Sequence, residues 1–228
     1  LWSHFAASFY HPGPVPASWK PENEDIMWHE AIYGASPARY CAPCANYVPM
    51  RARHCYKCGT CLSRRDHHCI WINNCVGLRN HRAFILMMVY MGVGGCYAWI
   101  MFIIRFIEPF LRMKVSAEAV VLIFLLGLLS LIPVYFLQQL MPFHVKQLLL
   151  NCTAVELQYK DSAIVAAKMN KMEWHYPFDI GVVENVKSIF GEHFYLWMFP
   201  FRNSVGDGLR YPLNPNFSPD STLVNKEL

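Results

Sequence analysis

Two long apolar segments dominate the pattern of hydrophobic and polar positions along this chain. Residues 83–104 contain no charged residue. As a helix, this segment would be about 33 Å long, against about 30 Å for the hydrocarbon core of a bilayer. A second apolar segment is free of charge from Ala119 to Leu137. The pattern therefore predicts two transmembrane helices, at 83–105 and 119–143, joined by a short luminal loop at 106–118.

The remaining segments differ from these helices in composition. Residues 1–38 contain five prolines, which disfavour long helices and predict a proline-rich connector. Most of the cysteines lie in 39–82, and this segment is predicted to be a separate cysteine-rich domain. Residues 144–202 mix apolar and charged positions at helical spacing and predict a cytosolic C-terminal region. The last segment, 203–228, is rich in proline, asparagine and serine and is predicted to be a flexible tail.

The overall composition narrows the class of protein. Hydrophobic residues make up 54% of the 228 residues, and the formal net charge is only +4. A mild positive charge suits anionic lipid headgroups or an acidic cofactor as well as nucleic acid, so charge alone does not identify a partner. Because the chain begins at Leu1 and shows no signal-peptide pattern, we expect it to be a fragment that lacks its N-terminus.

The distribution of basic residues predicts the orientation in the membrane. Positive charges concentrate on the cytosolic side of membrane proteins. Residues 39–82 contain eight lysines and arginines, whereas 105–118 contain three. Nine cysteines at short spacings beside histidines also suit metal binding in a reducing compartment better than disulfides. The cysteine-rich domain and the C-terminal region are therefore both predicted to face the cytosol.

The segment from Cys41 to Cys75 contains seven of the nine cysteines and three histidines. A structural zinc site takes four ligands, so two sites would use eight of these ten side chains. Two pairs have the C-x-x-C spacing of a zinc knuckle, Cys41 with Cys44 and Cys55 with Cys58. The spacing predicts two structural zinc ions, but it does not show which cysteine and which histidine are left over.

The neighbours of Cys69 indicate that it is the free cysteine. A thiolate is the reactive form of cysteine, and an adjacent histidine, a nearby zinc and basic surroundings lower the pKa of the thiol. His67 is the natural base, and Asp66 could orient it by accepting the proton of its other ring nitrogen. On a regular strand Asp66 and His67 would point to opposite faces, so their pairing predicts irregular backbone at this point.

These residues form part of a longer motif. The spacing is Cys41-x2-Cys44-x4-Pro49-x-Arg51-x2-His54-Cys55-x2-Cys58-x2-Cys61-x4-Asp66-His67-His68-Cys69-x-Trp71-x2-Asn74-Cys75-x-Gly77-x2-Asn80-His81. It resembles the DHHC cysteine-rich domain of protein S-acyltransferases, or palmitoyltransferases. Two later segments resemble further motifs of that family: one runs from Asn151 through Thr153 to Glu156, and the other from Tyr176 through Asn185 to Gly191.

The resemblance implies an α-helical multi-pass membrane protein with a small cytosolic cysteine-rich double-zinc domain, here without its first two membrane helices. It implies that the two zinc ions are held by interleaved sets of ligands, one of Cys41, Cys44, His54 and Cys61 and the other of Cys55, Cys58, His68 and Cys75. It leaves Cys69 as the nucleophile, His67 as the base and Asp66 as the residue that orients His67.

The activity that the resemblance implies is protein S-palmitoylation. Cys69 would take a fatty acyl group from acyl-CoA and pass it to cysteine thiols of substrate proteins, with the active site on the cytosolic side of the endoplasmic reticulum or Golgi membrane. Trp71 is expected to line the acyl chain. Arg51 is expected to meet the CoA phosphates, with Arg53, Arg64 and Arg65 as alternatives, and a solvated surface charge is the other interpretation of each. Asn185 is expected at the cofactor-binding site, with a packing role as the alternative.

Two positions depart from the family pattern. Ile70 stands where the family usually has proline, and Ala154 replaces the second threonine of the later motif. The first change could loosen the active-site turn, and the second could remove a polar contact near Asp66. These departures leave open a membrane scaffold that binds zinc without transferring acyl groups. A nucleic-acid-binding zinc module is the third hypothesis, which two membrane spans and a modest charge oppose, so no nucleic-acid partner is expected.

Overall fold

The structure, a computed structural model, describes residues 1–33, 39–112, 116–169, 171, 173–202 and 205–217. The helices are α1 Trp2–Phe9, α2 Asn23–Tyr33, α3 His81–Arg112, α4 Ala117–Leu149, α5 Ala154–Met169 and α6 Val182–Phe190, with a 3-10 turn at Phe194–Leu196. The strands are β1 Tyr40–Cys41, β2 Asn46–Tyr47, β3 Arg53–Cys55, β4 Thr60–Leu62, β5 His67–Cys69 and β6 Asn74–Val76. The chain forms two compact units, residues 1–84 with 146–228, and residues 85–145.

In the first unit the cysteine-rich segment forms three consecutive antiparallel hairpins, β1–β2, β3–β4 and β5–β6. Their strands have only two or three residues each, which is too short for a sheet to be stable alone. The apolar cores around them are also small. One is built on Val48 and Ala52 with Cys41 and Cys61, and another on Leu62 with two cysteines. Domains with so little apolar burial commonly depend on a bound metal for their stability.

A larger apolar core of the same unit lies beside the hairpins. It joins residues that are far apart in the sequence and includes Met50, Cys152, Leu157 and Phe178. Aromatic side chains from the end of the described chain pack against this core, among them Tyr211 and Phe217. Helix α5 and the segments that follow it are therefore packed against the residues around the hairpins.

Two parts of the first unit differ from the sequence-based expectations. The connector predicted at 1–38 contains α1 and α2. Helix α2 begins at Asn23, two residues after Pro21, and it carries Glu24 and Asp25 in its first turn, where acidic residues are stabilised by the helix dipole. The segment predicted to be a flexible tail is packed over residues 205–217, because Tyr211, Leu213 and Phe217 bury apolar surface. Residues 203–204 and 218–228 of that prediction lie outside the described residues.

The second unit is a pair of long apolar helices formed by α3 and α4. Both are long and apolar enough to cross a membrane, and few of their residues are buried within the protein. Leu122, Leu129 and Ile132 are 58%, 63% and 52% exposed, a surface that suits lipid better than water. The helices pack closely at Gly127, where the ring of Phe102 leaves no room for a Cβ atom. Both helices extend beyond the predicted spans, since α3 continues to Arg112 and α4 to Leu149.

Candidate active site and metal centres

The three hairpins bring eight cysteine and histidine side chains together in two groups. The middle hairpin contributes to both groups because His54 and Cys55 are neighbours on β3, and adjacent residues of a strand point to opposite faces. His54 therefore joins ligands of the first hairpin, and Cys55 joins ligands of the third. The first group consists of Cys41, Cys44, His54 and Cys61, and the second of Cys55, Cys58, His68 and Cys75.

The distances within each group fit a tetrahedral zinc ion. Zinc bonds of about 2.3 Å to sulfur and 2.0 Å to nitrogen imply sulfur–sulfur distances of about 3.7 Å and sulfur–nitrogen distances of about 3.5 Å. In the first group, Cys44 Sγ lies 3.7 Å from Cys61 Sγ and 3.3 Å from His54 Nδ1. In the second, Cys58 Sγ lies 3.6 Å from Cys75 Sγ and 3.4 Å from His68 Nδ1. The ligand sets are those that the family resemblance implied, and each could hold one metal ion.

Strand β5 separates the metal ligand from the reactive side chains. His68 points from one face of the strand to the second metal group, and His67 and Cys69 lie on the opposite face. Cys69 is therefore excluded from the metal group although it follows a ligand directly. It is 5% exposed, and its thiol interacts with His67 and with the backbone N–H groups of Trp71 and Ile72.

Asp66 accepts a hydrogen bond from the ring nitrogen of His67 that does not face Cys69. Asp66 lies just before β5, where the backbone is irregular, and its Oδ2 accepts a hydrogen bond of 2.7 Å from His67 Nδ1. Its Oδ1 accepts two more, of 2.8 Å from Gln147 Nε2 and 2.6 Å from the backbone N–H of Ala154. With all these donors around it and 2% exposure, the Asp66 carboxylate is fixed in one orientation, and the other ring nitrogen of His67 is left for Cys69.

The electrostatics of the three residues favour a thiolate–imidazolium pair. Burial raises the pKa of Asp66, but the hydrogen bond from His67 and the positive charges of His81 and His67 outweigh it and hold the pKa below its usual range. Burial lowers the pKa of His67, but the bonds to Asp66 and Cys69 raise it to about 9. Burial raises the pKa of Cys69, yet His67 and two backbone N–H groups lower it overall. An arrangement of this kind can activate a thiol as a nucleophile.

The junction of α4 and α5 positions the donors that contact Asp66. Helix α4 ends in a Schellman-type turn, in which the N–H of Cys152 bonds to the carbonyl of Gln147 and Asn151 adopts φ +51°. Helix α5 then starts with a capping box. Thr153 Oγ1 accepts from the N–H of Glu156, and Glu156 Oε2 accepts from the N–H of Thr153. These two caps place the first N–H of α5 against Asp66, so the contact survives the replacement of threonine by Ala154.

Arg51 does not have the role that the sequence predicted. It is 3% exposed and forms two hydrogen bonds of 2.8 Å to the carboxylate of Glu156. It also donates to Asn151 and stacks on the ring of Phe178, whose centroid lies 4.3 Å away. The negative charge of Glu156 more than offsets burial and raises the pKa of Arg51. The N–H groups of Arg51 donate to these buried partners and are not available to CoA phosphates. Arg51 instead links α5 to the cysteine-rich domain through its ion pair with Glu156.

We expect Arg51→Met to destabilise the protein strongly. The change leaves the Glu156 carboxylate buried without its partner, which costs about 3 to 5 kcal/mol for pairs of this kind. Denaturant unfolding of the purified protein measures the loss. The double variant Arg51→Met, Glu156→Leu should recover part of the stability, because neither charge of the ion pair is then buried without its partner, and Lys187→Met at an exposed ion pair is the matched control. Equal stability of Arg51→Met and the wild type would contradict the buried role.

The predicted cofactor contacts of Asn185 and Trp71 compare differently with the structure. Asn185 is fully buried, and its amide donates to Leu149 O and Asp179 Oδ1, both at 2.7 Å. It also accepts from the N–H of Ile180, so it joins α6 to the end of α4 and is not available to a cofactor. Trp71 is 76% exposed on the turn after β5, and its contact with an acyl chain stays a prediction.

The three alternative arginines lie in different environments. Arg64 is 2% exposed and bonds to His81 and Asn151, so it belongs to the same buried network as Arg51. Arg53 is half-buried, with its guanidinium 5.8 Å from the ring centroid of Tyr159. Arg65 is half-buried beside the ligand Cys75. The buried position of Arg64 therefore excludes it as a surface contact for CoA.

Two residues to which the sequence analysis assigned no role support the site. Gln147 bonds directly to Asp66, and Asn151 joins Arg51, Arg64 and the carbonyl of Phe178. Asn151 lies in a motif that the resemblance covers, and its left-handed backbone conformation is one that asparagine tolerates. Gln147 carries no comparable signal, because a polar residue at the end of an apolar helix is ordinary at a membrane surface.

Comparisons with known proteins agree with this geometry. Residues 35–161 match the family model of the DHHC palmitoyltransferases. The chain is 31% identical over 97% of its length to probable protein S-acyltransferase 16 of Arabidopsis thaliana, covering 79% of that protein. It is 29% identical over 88% of its length to probable protein S-acyltransferase 15 of the same plant, covering 78% of it. Palmitoyltransferase PFA4 of Mycosarcoma maydis is 34% identical over 88% of this chain and 47% of its own length.

Proposed function

Since the chain belongs to the DHHC palmitoyltransferase family, we propose that it moves a fatty acyl group from acyl-CoA to cysteine thiols of substrate proteins through a thioester on Cys69. The matches confirm the family and the acyltransferase activity that the motif predicted. The observation that carries the assignment of the nucleophile is the pairing of His67 and Cys69 on the free face of β5, with Asp66 bonded to the other nitrogen of His67.

In the first half of the reaction, the Cys69 thiolate attacks the carbonyl carbon of the acyl-CoA thioester. The new bond joins Cys69 Sγ to the acyl carbon, and the bond between that carbon and the CoA sulfur breaks. CoA leaves as a thiolate and takes a proton from the His67 imidazolium, which becomes neutral. Asp66 keeps the imidazole in the orientation and tautomer that this transfer requires.

The second half reverses the roles. Neutral His67 takes the proton of a substrate cysteine thiol, and the resulting thiolate attacks the acyl carbon on Cys69. The bond between that carbon and Cys69 breaks, and the Cys69 thiolate is regenerated beside the His67 imidazolium. No net proton, electron or water is consumed, so the cycle is a transfer between two thiols.

The two cysteine and histidine groups are proposed to hold structural zinc. Their four donors and tetrahedral distances match the ion, and the short strands and small cores around them need such support. His68 belongs to the second group and points from one face of β5. Zinc bound there would fix the strand, and thereby the direction in which Cys69 points.

The membrane segments support the proposed location of the reaction. A long acyl chain is stabilised in hydrocarbon by about 0.8 kcal/mol for each buried methylene. Within the second unit, α3 and α4 enclose an apolar groove whose lining includes Val89, Val93, Tyr97 and Ile100. We propose a multi-pass protein of the endoplasmic reticulum or Golgi membrane, with the reaction on the cytosolic side, as the distribution of basic residues predicts.

The test of the function is direct identification of the acyl-enzyme. Protein purified in lipid is mixed with palmitoyl-CoA, and the mass of the intact protein should rise by one acyl group that neutral hydroxylamine removes. Peptide mapping should locate the group on Cys69. Cys152 is the internal comparison, because burial raises the pKa of its thiol to about 11 and it should stay unmodified. A thioester located on another cysteine, or none on zinc-loaded protein, would contradict the proposal.

A further inference from the structure

The side chain of Gln147 makes a contact that the family motif does not explain. Gln147 lies in the last turn of α4 and is fully buried. Its Nε2 donates a hydrogen bond of 2.8 Å to Asp66 Oδ1. The same oxygen accepts the backbone N–H of Ala154 at 2.6 Å. Two segments that are close in sequence thus meet on one carboxylate oxygen.

Burial of the Gln147 amide lowers the stability of the folded protein, so the bond to Asp66 needs a functional explanation. Among the residues that the structure describes, Gln147 Oε1 has no hydrogen-bond partner, and a buried acceptor without a partner destabilises the folded protein. A leucine of similar size would fill the space without that penalty. Because a carboxylate accepts and does not donate, only the amide nitrogen of Gln147 can face Asp66. The bond to Asp66 is what this side chain supplies.

The position of the contact coincides with a departure from the family pattern. The second threonine that the family resemblance implies is replaced by Ala154, and the backbone N–H of this residue lies 2.6 Å from Asp66 Oδ1. The backbone N–H of Ala154 remains in place, but it supplies only one donor. Gln147 supplies a second donor to the oxygen of Asp66 that does not contact His67. The site therefore keeps a side-chain donor without a hydroxyl at position 154.

We propose that Gln147 is a positioning residue for the acyl transfer, and that its amide is the side-chain donor that holds the Asp66 carboxylate while position 154 carries no hydroxyl. The proposal rests on the proposed roles of Asp66, His67 and Cys69. By fixing Oδ1, Gln147 directs Oδ2 at His67 Nδ1 and keeps the imidazole aligned with Cys69. Its effect therefore reaches the reacting atoms through Asp66 and not through contact with the acyl group.

The test compares Gln147→Leu with a swap of the donor. We expect Gln147→Leu to lower kcat for formation of the Cys69 thioester from palmitoyl-CoA about tenfold, the loss of one hydrogen bond to a charged group. KM should stay unchanged, because Gln147 does not contact the acyl donor. Adding Ala154→Thr to this variant should restore most of the lost kcat, since a hydroxyl is then available beside Asp66. Gln158→Leu, at an exposed glutamine of α5, is the matched control.

Zinc content and thermal unfolding are measured on every variant to separate positioning from folding. Full kcat for Gln147→Leu overturns the proposal. So does a loss of zinc or stability in Gln147→Leu that persists in the double variant, because the role is then structural, and so does a kcat that Ala154→Thr leaves unrestored. If the wild-type protein forms no thioester on Cys69 at all, the proposed function itself fails, and the kcat comparison has no reference value.

Discussion

We expect Cys69→Ser to abolish the hydroxylamine-sensitive acyl-enzyme, with a loss of at least about a thousandfold in its rate of formation. The serine hydroxyl is a far weaker acid than the thiol, so His67 cannot hold it in the anionic form that the thiol adopts. Any acyl group that reached the hydroxyl would form an oxygen ester, which neutral hydroxylamine leaves intact. Mass measurement before and after hydroxylamine treatment therefore checks both the rate and the bond type.

The control for Cys69→Ser is Cys152→Ser. Cys152 is a free and buried cysteine whose thiol donates to the carbonyl of Leu150, a bond that a serine hydroxyl can also make. This variant should keep the wild-type rate of acylation. Zinc content near two ions per chain in both variants would show that the cysteine-rich domain is intact. Hydroxylamine-sensitive labelling of Cys69→Ser at the wild-type rate would remove Cys69 from the mechanism.

We expect Asp66→Asn to lower the rate of acyl-enzyme formation by about a thousandfold or more, as in triads where the orienting carboxylate is replaced by an amide. Asp66 accepts from three N–H groups, which belong to His67, Gln147 and Ala154. An asparagine has one oxygen and one NH2 group, so at least one of these donors would then face another donor. The imidazole of His67 would lose its fixed orientation.

The same variant should change the pH dependence of acylation. Asp66 contributes to raising the pKa of His67 to about 9, and the charged His67 in turn lowers the pKa of Cys69. The reactive thiolate is therefore present above the lowered pKa of Cys69 and is lost as the pH falls through it. Without the carboxylate, the pKa of His67 falls and that of Cys69 rises. The acidic limb of the rate profile should then move to higher pH.

The profile is measured as the rate of thioester formation from palmitoyl-CoA at constant ionic strength. Asp161→Asn, which removes an exposed carboxylate from α5, should leave both the rate and the acidic limb in place. An Asp66→Asn variant whose acidic limb coincides with that of the wild type would show that Asp66 does not control the thiol through His67. A parallel loss of zinc would instead identify Asp66 as a structural residue of the domain.

The sequence predicted the metal-binding residues and the membrane helices more completely than the contacts of the residues around them. The spacing of cysteines and histidines predicted two metal sites, because a knuckle is a local structure, and the family resemblance assigned the ligands to the two groups that the structure brings together. The charge-free segments predicted the two membrane helices, since a bilayer imposes length and composition directly. The helix ends were less accurate. Helix α4 continues to Leu149 because its last turn belongs to the first unit, where Gln147 is fully buried.

The residues that support the site could not be assigned from the sequence alone. Arg51 resembled a phosphate ligand, and only the fold shows that Glu156, far away in the chain, takes up its charge. Asn185 likewise bonds to the carbonyl of Leu149 in α4 and to the carboxylate of Asp179 in the segment before α6. Such assignments depend on long-range contacts, because the type of a side chain does not show which distant residue it contacts in the folded protein.

What the sequence by itself determined is which residues can react and which can bind metal. The number of ligands leaves one cysteine free, and the adjacent Asp66 and His67 indicate that it is Cys69. This prediction depends only on residue types and short spacings. Only the tertiary structure decided which residues position Asp66, His67 and Cys69. The caps between α4 and α5 bring Gln147 and the N–H of Ala154 to Asp66, because chain folding brings distant donors to a buried carboxylate that cannot be left without them.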